Sequence, residues 1–221
     1  MGPSLSISSP RQTVGSVLLL SGGIESATLL AMEAPRGPVT PLVVDYGQRG
    51  ARREAQAAMR LCAAHDLKPV HLDLAAVGER FREGLETRAH VPLPHRNLVI
   101  LALAVSYAGR DGTARVTLAL NRDDLAAYAS ASSSFLERFT ALANTLQPGL
   151  EIATPLIDRD KAGVIRLGHE LGVDFAVTWS CLLGYETHCG SCPQCRKRRE
   201  AFRAAGIPDP TRYRNGPGTG T

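Results

Sequence analysis

Val17-Leu18-Leu19-Leu20-Ser21-Gly22-Gly23-Ile24-Glu25-Ser26 is the stretch whose reading decides the fold. Val17 to Leu20 is a short apolar run that suits a buried strand; it stops at Ser21-Gly22-Gly23, and Ser26 to Met32 then has helical composition. The reading is strand, tight loop, helix. Ligands in open parallel sheets bind beyond the carboxyl ends of strands, which is where this loop falls. Its glycines let backbone N–H groups face an anion, and the next helix adds its positive end. A Gly-Gly pair taken alone is equally a packing turn, so the loop by itself leaves both readings open.

Working outward, Pro38 to Asp45 contains a second apolar run, Pro41 to Val44, then the loop Tyr46-Gly47-Gln48-Arg49 and an Ala/Arg-rich helix to about His65. Lys68 to Leu74 alternates polar residues with Val70, Leu72 and Leu74 and is a third strand; Ala114 to Leu120 and Glu151 to Thr154 are the fourth and fifth. Helices are expected over Asn97 to Ala108, Ser133 to Leu146, Lys161 to Leu171 before Gly172, and Arg196 to Ala205. Strands alternating with helices give an α/β fold, Rossmann-like, with a parallel five-stranded sheet and helices on both faces. Val77 to Pro94 has no clear period and is read as an excursion over the sheet edge. The organisation expected is a flexible N-terminus (1–13), an α/β domain (14–176), a cysteine-bearing helical segment (177–214) and a disordered Gly-rich tail (215–221).

Four of the five cysteines fall close together: Cys181, Cys189, Cys192 and Cys195. Cys189-Gly190-Ser191-Cys192 and Cys192-Pro193-Gln194-Cys195 are overlapping turns that bring three thiolates to one point, and Cys181 closes a tetrahedron. Four soft ligands without an open position describe structural Zn²⁺. Two disulfides are the alternative, disfavoured in a cysteine-poor chain without a secretory leader, and iron–sulfur clusters share the ligand set. Cys62 stands alone on an Ala-rich helix as a small hydrophobe. His188 adjoins Cys189, but four thiolates already complete the shell.

The 221 residues, 44% hydrophobic, allow one sizeable core. No apolar run is long enough to cross a bilayer, and the first residues lack a signal region, so a cytoplasmic protein without membrane contact is expected. The net charge of +4 is concentrated in Arg196, Lys197, Arg198, Arg203, Arg212 and Arg214. They are read as a solvated basic face, with a zinc-stabilised nucleic-acid-binding module as the alternative. That module predicts salt-sensitive oligonucleotide binding and indifference to ATP.

The string Leu20 to Ser26 closely resembles the SGGxDS loop of the PP-loop ATP pyrophosphatases, whose fold is adenine nucleotide alpha-hydrolase-like and which cleave ATP between its α and β phosphates. Glu25 stands where the family has Asp. Read together with the cysteines, the chain resembles the QueC family from about Val17 to Phe202, through Asp45-Tyr46-Gly47-Gln48-Arg49, Arg96-Asn97, Thr154-Pro155-Leu156, Asp160-Lys161 and Thr178-Trp179-Ser180-Cys181. That resemblance implies adenylation of 7-carboxy-7-deazaguanine by ATP with Mg²⁺, displacement of AMP by ammonia to give the amide, and activation of the amide by a second ATP to give the nitrile. It implies ATP contacts from Leu20, Ser21, Gly22, Gly23, Ile24, Glu25, Ser26, Asp45, Tyr46, Gln48 and Arg49. Catalytic roles fall to Ser21, Arg96 and Lys161, and substrate contacts to Asn97, Asn121, Asp124 and Tyr128. Taken without the resemblance, Lys161 also reads as a helix-start lysine, Arg49 as a surface arginine, and Asp45 as the cap of the following loop.

The chain departs from the family in Asn121 to Phe135. Family members carry an Asp and then a Tyr-Pro-Asp-Cys-Arg string; here the frame is Asp124 and Tyr128-Ala129-Ser130-Ala131-Ser132. An Asp reads a guanine-like edge and an Arg holds a carboxylate bidentately, neither of which Ser130 or Ser132 does with comparable strength. Two readings follow: a divergent synthase with substrate contacts from other residues, or a QueC-like relative of bacterial defence systems that joins a deazaguanine-type group to a partner protein. QueC relatives are often homodimers, and Asn97 to Ala108 is apolar enough for an interface, though a core helix is the simpler account.

Overall fold

The computed structural model describes residues 15–84 and 93–214. The expected flexible N-terminus (1–13), the tail from 215 and part of the Val77 to Pro94 excursion lie outside the described residues. Five parallel strands form one sheet: β1 (Ser16–Leu19), β2 (Val39–Asp45), β3 (Val70–Asp73), β4 (Arg115–Thr117) and β5 (Glu151–Ala153), in the order β3-β2-β1-β4-β5. The α/β sheet expected from the alternation is present.

Side chains alternate along β1, so both faces of this central strand must be covered. Leu18 points into one core with α1 (Ile24–Glu33), α2 (Ala51–Ala63), α7 (Lys161–Glu170) and α8 (Pro193–Ala205), represented by Leu29, Ala58, Ile165 and Phe202. Val17 and Leu19 point into the other, against α4 (Arg96–Asp111) and α6 (Ser133–Leu146), through Leu101, Ala104, Phe139 and Ala143. Local signals set the helix ends: Ser132 accepts from Phe135 N–H at 3.2 Å to cap α6, and Asp160 accepts from Gly163 N–H at 2.7 Å to cap α7. Gly112 and Gly206, with φ of 66° and 72°, end α4 and α8.

Two short helices interrupt segments without a visible period. α3 (Ala75–Arg82) occupies the start of the expected excursion. It packs so tightly on the loop after β2 that a Cβ on Gly78 would sit 1.8 Å from Tyr46 O. α5 (Arg122–Ala127) begins at a reciprocal capping box formed by Asn121 and Asp124. The chain runs outward from β1 to β3, then crosses to β4 on the other side. The strand order therefore reverses between β1 and β4, and the loop after β1 opens at that switch point.

Candidate active site

An open cleft of about 370 Å³ lies at the carboxyl ends of the strands. Leu20, Ser21, Gly23, Glu25 and Ser26 line it from the first loop, Tyr46, Gln48 and Arg49 from the second, Arg96 and Asn97 from α4, and Asp124, Tyr128 and Lys161 close its far side. In the loop, Ser21 Oγ and Ser26 Oγ lie 3.1 Å apart and Gly23 N–H donates to Ser21 Oγ at 3.4 Å. No side chain caps α1, so the N–H groups of its first turn are left for a ligand. Gly22 has φ +73°, and a Cβ there would meet Glu54 O at 2.5 Å, so this position takes only glycine. Ile24 is fully buried in the core, and only its backbone belongs to the loop.

Glu25 and Lys161 form an ion pair across the cleft, between the first turns of α1 and α7. Burial alone would push the Glu25 carboxyl up, yet the Lys161 charge and hydrogen bond outweigh it and hold the carboxyl below its usual range. Asn121 Nδ2 donates to the same oxygen at 3.1 Å, while Asn121 Oδ1 accepts from Asp123 and Asp124 N–H at 2.9 and 3.2 Å. One amide thus joins the cap of α5 to the acid of the loop. Asn121→Ala should lower stability by about 1–2 kcal/mol, read by urea denaturation, through loss of the cap alone. Asp124 faces the cleft, and burial pushes its carboxyl up.

Around the second loop, Gln48 Oε1 accepts from Tyr46 N–H at 2.9 Å and its amide donates to Glu54 Oε2 at 2.8 Å. Arg96 donates to Tyr46 Oη at 3.1 Å. Asp45 is not in this cleft: it accepts from Gly47 N–H at 2.8 Å, the loop-capping role, and lines a neighbouring groove with His71 and Asp73. Asn97 lines the cleft but spends its amide on Ser130 O at 3.0 Å. Ser130 reaches the cleft, whereas Ser132 is occupied as the cap of α6. Glu54, His95 and Trp179 also line the cleft. Glu54 lies in an Ala/Arg-rich helix whose sequence carries no sign of the site; the fold brings it there, with Gly22 against its backbone and Gln48 on its carboxylate.

Beside the cleft, the four cysteine Sγ atoms all lie within 4.8 Å of one another, with Cys189 and Cys195 at 3.8 Å. A Zn–S bond of about 2.3 Å gives a tetrahedral edge of about 3.8 Å, so the donor set fits one zinc ion. Backbone N–H groups of Ser191 and Cys192 donate to Cys189 Sγ at 3.4 and 3.2 Å, which favours thiolate. A hydrogen bond with the Cys195 thiol, helped by Cys189 N–H, draws the Cys181 thiol down to about 5, and the same contact pushes Cys195 up. His188 is not a ligand: burial lowers it to about 4, its neutral Nε2 accepts from Ser180 N–H at 3.1 Å, and its ring lies 4.2 Å from that of Trp179. Trp179 N–H donates to Gly22 O at 2.8 Å and its indole to Cys181 O at 2.8 Å, tying the cysteine cluster to the Ser21–Ser26 loop.

Arg198, expected on a basic surface, is fully buried. It donates to Thr211 Oγ1 (2.6 Å), Thr178 Oγ1 (2.8 Å), Ser180 Oγ (3.1 Å) and Phe175 O (2.8 Å), and Asp209 lies 3.5 Å away. Arg196, Lys197, Arg203, Arg212 and Arg214 remain exposed.

A parallel sheet ordered 3-2-1-4-5 with a Ser-Gly-Gly loop at its switch point, and four converging thiolates beside it, define an α/β protein of the PP-loop class. Solved structures agree on the fold: NMN synthetase from Francisella tularensis has a TM-score of 0.56 at 16% identity, covering 88% of this chain and 78% of that one. The U34-tRNA thiolase NcsA from Methanococcus maripaludis, with its [4Fe-4S] cluster, also has a TM-score of 0.56, at 15% identity over 88% of this chain and 68% of that one. The chain belongs to the QueC family, described as queuosine biosynthesis protein QueC, whose profile matches residues 15–206. It is 34% identical over 200 residues to 7-cyano-7-deazaguanine synthase 1 of Sulfurisphaera tokodaii, covering 90% of this chain and 98% of the relative. It is 39% identical over 222 residues to the 7-cyano-7-deazaguanine synthase of Methylococcus capsulatus, again covering 90% and 98%. No helix among the described residues is long and apolar enough to cross a membrane.

Proposed function

We propose that this chain is an ATP-dependent carbon–nitrogen ligase that converts 7-carboxy-7-deazaguanine, through the amide, to 7-cyano-7-deazaguanine, releasing AMP and pyrophosphate. The observation that carries the reading is the uncapped start of α1, opening through the Ser21–Ser26 loop into the same cleft as Arg96 and Lys161, in a member of the QueC family. A carboxylate is a poor electrophile because oxide would have to leave, and transfer of AMP to it supplies a good leaving group. The protein's task is to position and neutralise. The N–H groups of the loop and Ser21 hold phosphate oxygens, and Lys161, released from Glu25, turns its charge to them. Glu25 is the acid that would hold Mg²⁺, which when bound offsets phosphate charge. Arg96, braced on Tyr46, faces the carboxylate. Asp124 and Tyr128 contact the deazapurine directly, while Asn97 and Asn121 act through Ser130 and Glu25.

Incubation with ATP, Mg²⁺, ammonium and 7-carboxy-7-deazaguanine should yield amide and nitrile by mass spectrometry. Lys161→Met should lower turnover by roughly a hundredfold or more, the scale for a group that stabilises transition-state charge. Absence of both products from the wild-type protein sinks the reading. A second reading rests on the resemblance described above, by which Ser130 and Ser132 occupy the places of a family Asp and Arg: on it the acid or the acceptor differs, an amine of a partner protein included. It predicts AMP release with the acid while neither amide nor nitrile forms. A homodimer through the Leu98 side of α4, where Leu98 is 44% exposed, belongs to the same proposal.

A further inference from the structure

Glu54 has no part in the steps above, yet it sits among the groups that carry them. It stands in the first turn of α2 and lines the cleft with Gly50, Tyr46, Arg96 and Trp179. Gln48 fixes one carboxyl oxygen, donating to Oε2 at 2.8 Å. The other, Oε1, has no hydrogen-bond partner among the described residues; it lies 3.0 Å from where a Cβ on Gly50 would be, and the Trp179 indole nitrogen approaches the same point at 3.5 Å. Because residue 50 is glycine, that oxygen is left uncovered beside an aromatic edge.

The proposed chemistry has a need that matches this place. Ammonia is almost wholly ammonium at neutral pH and then has no lone pair to attack with, so a group in the cleft must bind the cation and take a proton. A carboxylate with an uncovered oxygen near aromatic rings binds a small cation, and general-base transfer contributes roughly 10²–10⁴-fold. We propose that Glu54 is the ammonium-receiving residue of the cleft, an inference that rests on the ligase reading given above. Ammonium gives one proton to the Glu54 carboxylate, and the freed lone pair forms the C–N bond at the acyl carbon. The C–O bond to AMP breaks with its electron pair leaving on the phosphate oxygen, and a second proton passes from the new nitrogen to solvent. Burial, the largest influence, pushes the Glu54 carboxyl up; Gln48 and Arg96 oppose this and Asp45 adds to it. The raised value makes a stronger proton acceptor than an exposed glutamate.

Hydroxylamine separates this role from others because it is almost wholly neutral at neutral pH and attacks an acyl adenylate without first losing a proton. With the full-length protein, ATP, Mg²⁺ and the carboxylic acid, Glu54→Gln should lower amide formation from ammonium at least tenfold relative to hydroxamate formation from hydroxylamine. Its ammonium-dependent rate should climb with pH in step with free ammonia where the wild type has levelled. Equal loss with both nucleophiles overturns the proposal and makes Glu54 a support for the loop at Gly22. If Glu54→Gln does not fold, Glu54→Asp is read by the same ratio, shifted in the same direction. Wild-type protein that forms neither amide nor hydroxamate contradicts the ligase reading instead, whatever the variants do.

Discussion

Cys192→Ala should release the metal and lower stability by about 3 kcal/mol or more, a fall in Tm of about 10 °C for a chain of this size. The estimate is conservative, since binding of structural zinc supplies about 10–16 kcal/mol in small peptides. Cys192 also caps α8 through Cys195 N–H at 3.5 Å, so the change removes a metal ligand and a helix cap together. The damage should spread, because α8 carries Phe202 into the core beneath β1 and Trp179 joins the metal site to Gly22. Metal analysis and thermal unfolding check this. Full zinc content and full stability with selective loss of turnover would show that the cysteines do something other than hold the fold. Because thiolates, not thiols, bind the ion, acid should release it from the wild type as well.

Arg198→Ala should cost about 3–5 kcal/mol, the range for removing one partner of a buried charge network. Four acceptors lose their donor at once, and Asp209, 11% exposed, keeps a charge without its cation. Arg198→Lys should rescue little, because a point-like ammonium cannot reach acceptors arranged around a planar fork. Urea denaturation decides: a loss under about 1 kcal/mol for the alanine variant would mean that solvent reaches the site and satisfies those groups.

What the chain discloses without coordinates is its local chemistry. Val17 to Ser26 and the cysteine run are legible because strand, loop, helix and ligands lie within a few residues of one another. Glu54 is not legible, since its place depends on α2 abutting a loop some thirty residues earlier. Arg198 was misread from the run Arg196-Lys197-Arg198, although helical spacing held the signal: Cys195, Arg198, Ala201 and Phe202 recur on one face, and that face is buried. α5 also had a readable start, Asn121 with Asp124 three residues on, but six residues are too few to show a period. At Asp45 the sequence left a ligand role and a loop cap side by side, and in the fold its carboxylate accepts from Gly47 N–H, the cap.

Placing β1 at the middle of the sheet has a consequence for how the chain is made. β2 and β3 follow soon after it and can pair on one side, but β4, which covers its other edge, emerges about 100 residues later. At ribosomal rates that is an interval of roughly 5–20 s during which an apolar central strand offers an open edge to its surroundings. The nascent protein is therefore at greatest risk of pairing with another chain before its catalytic machinery exists, and slowing synthesis between β3 and β4 should worsen that risk.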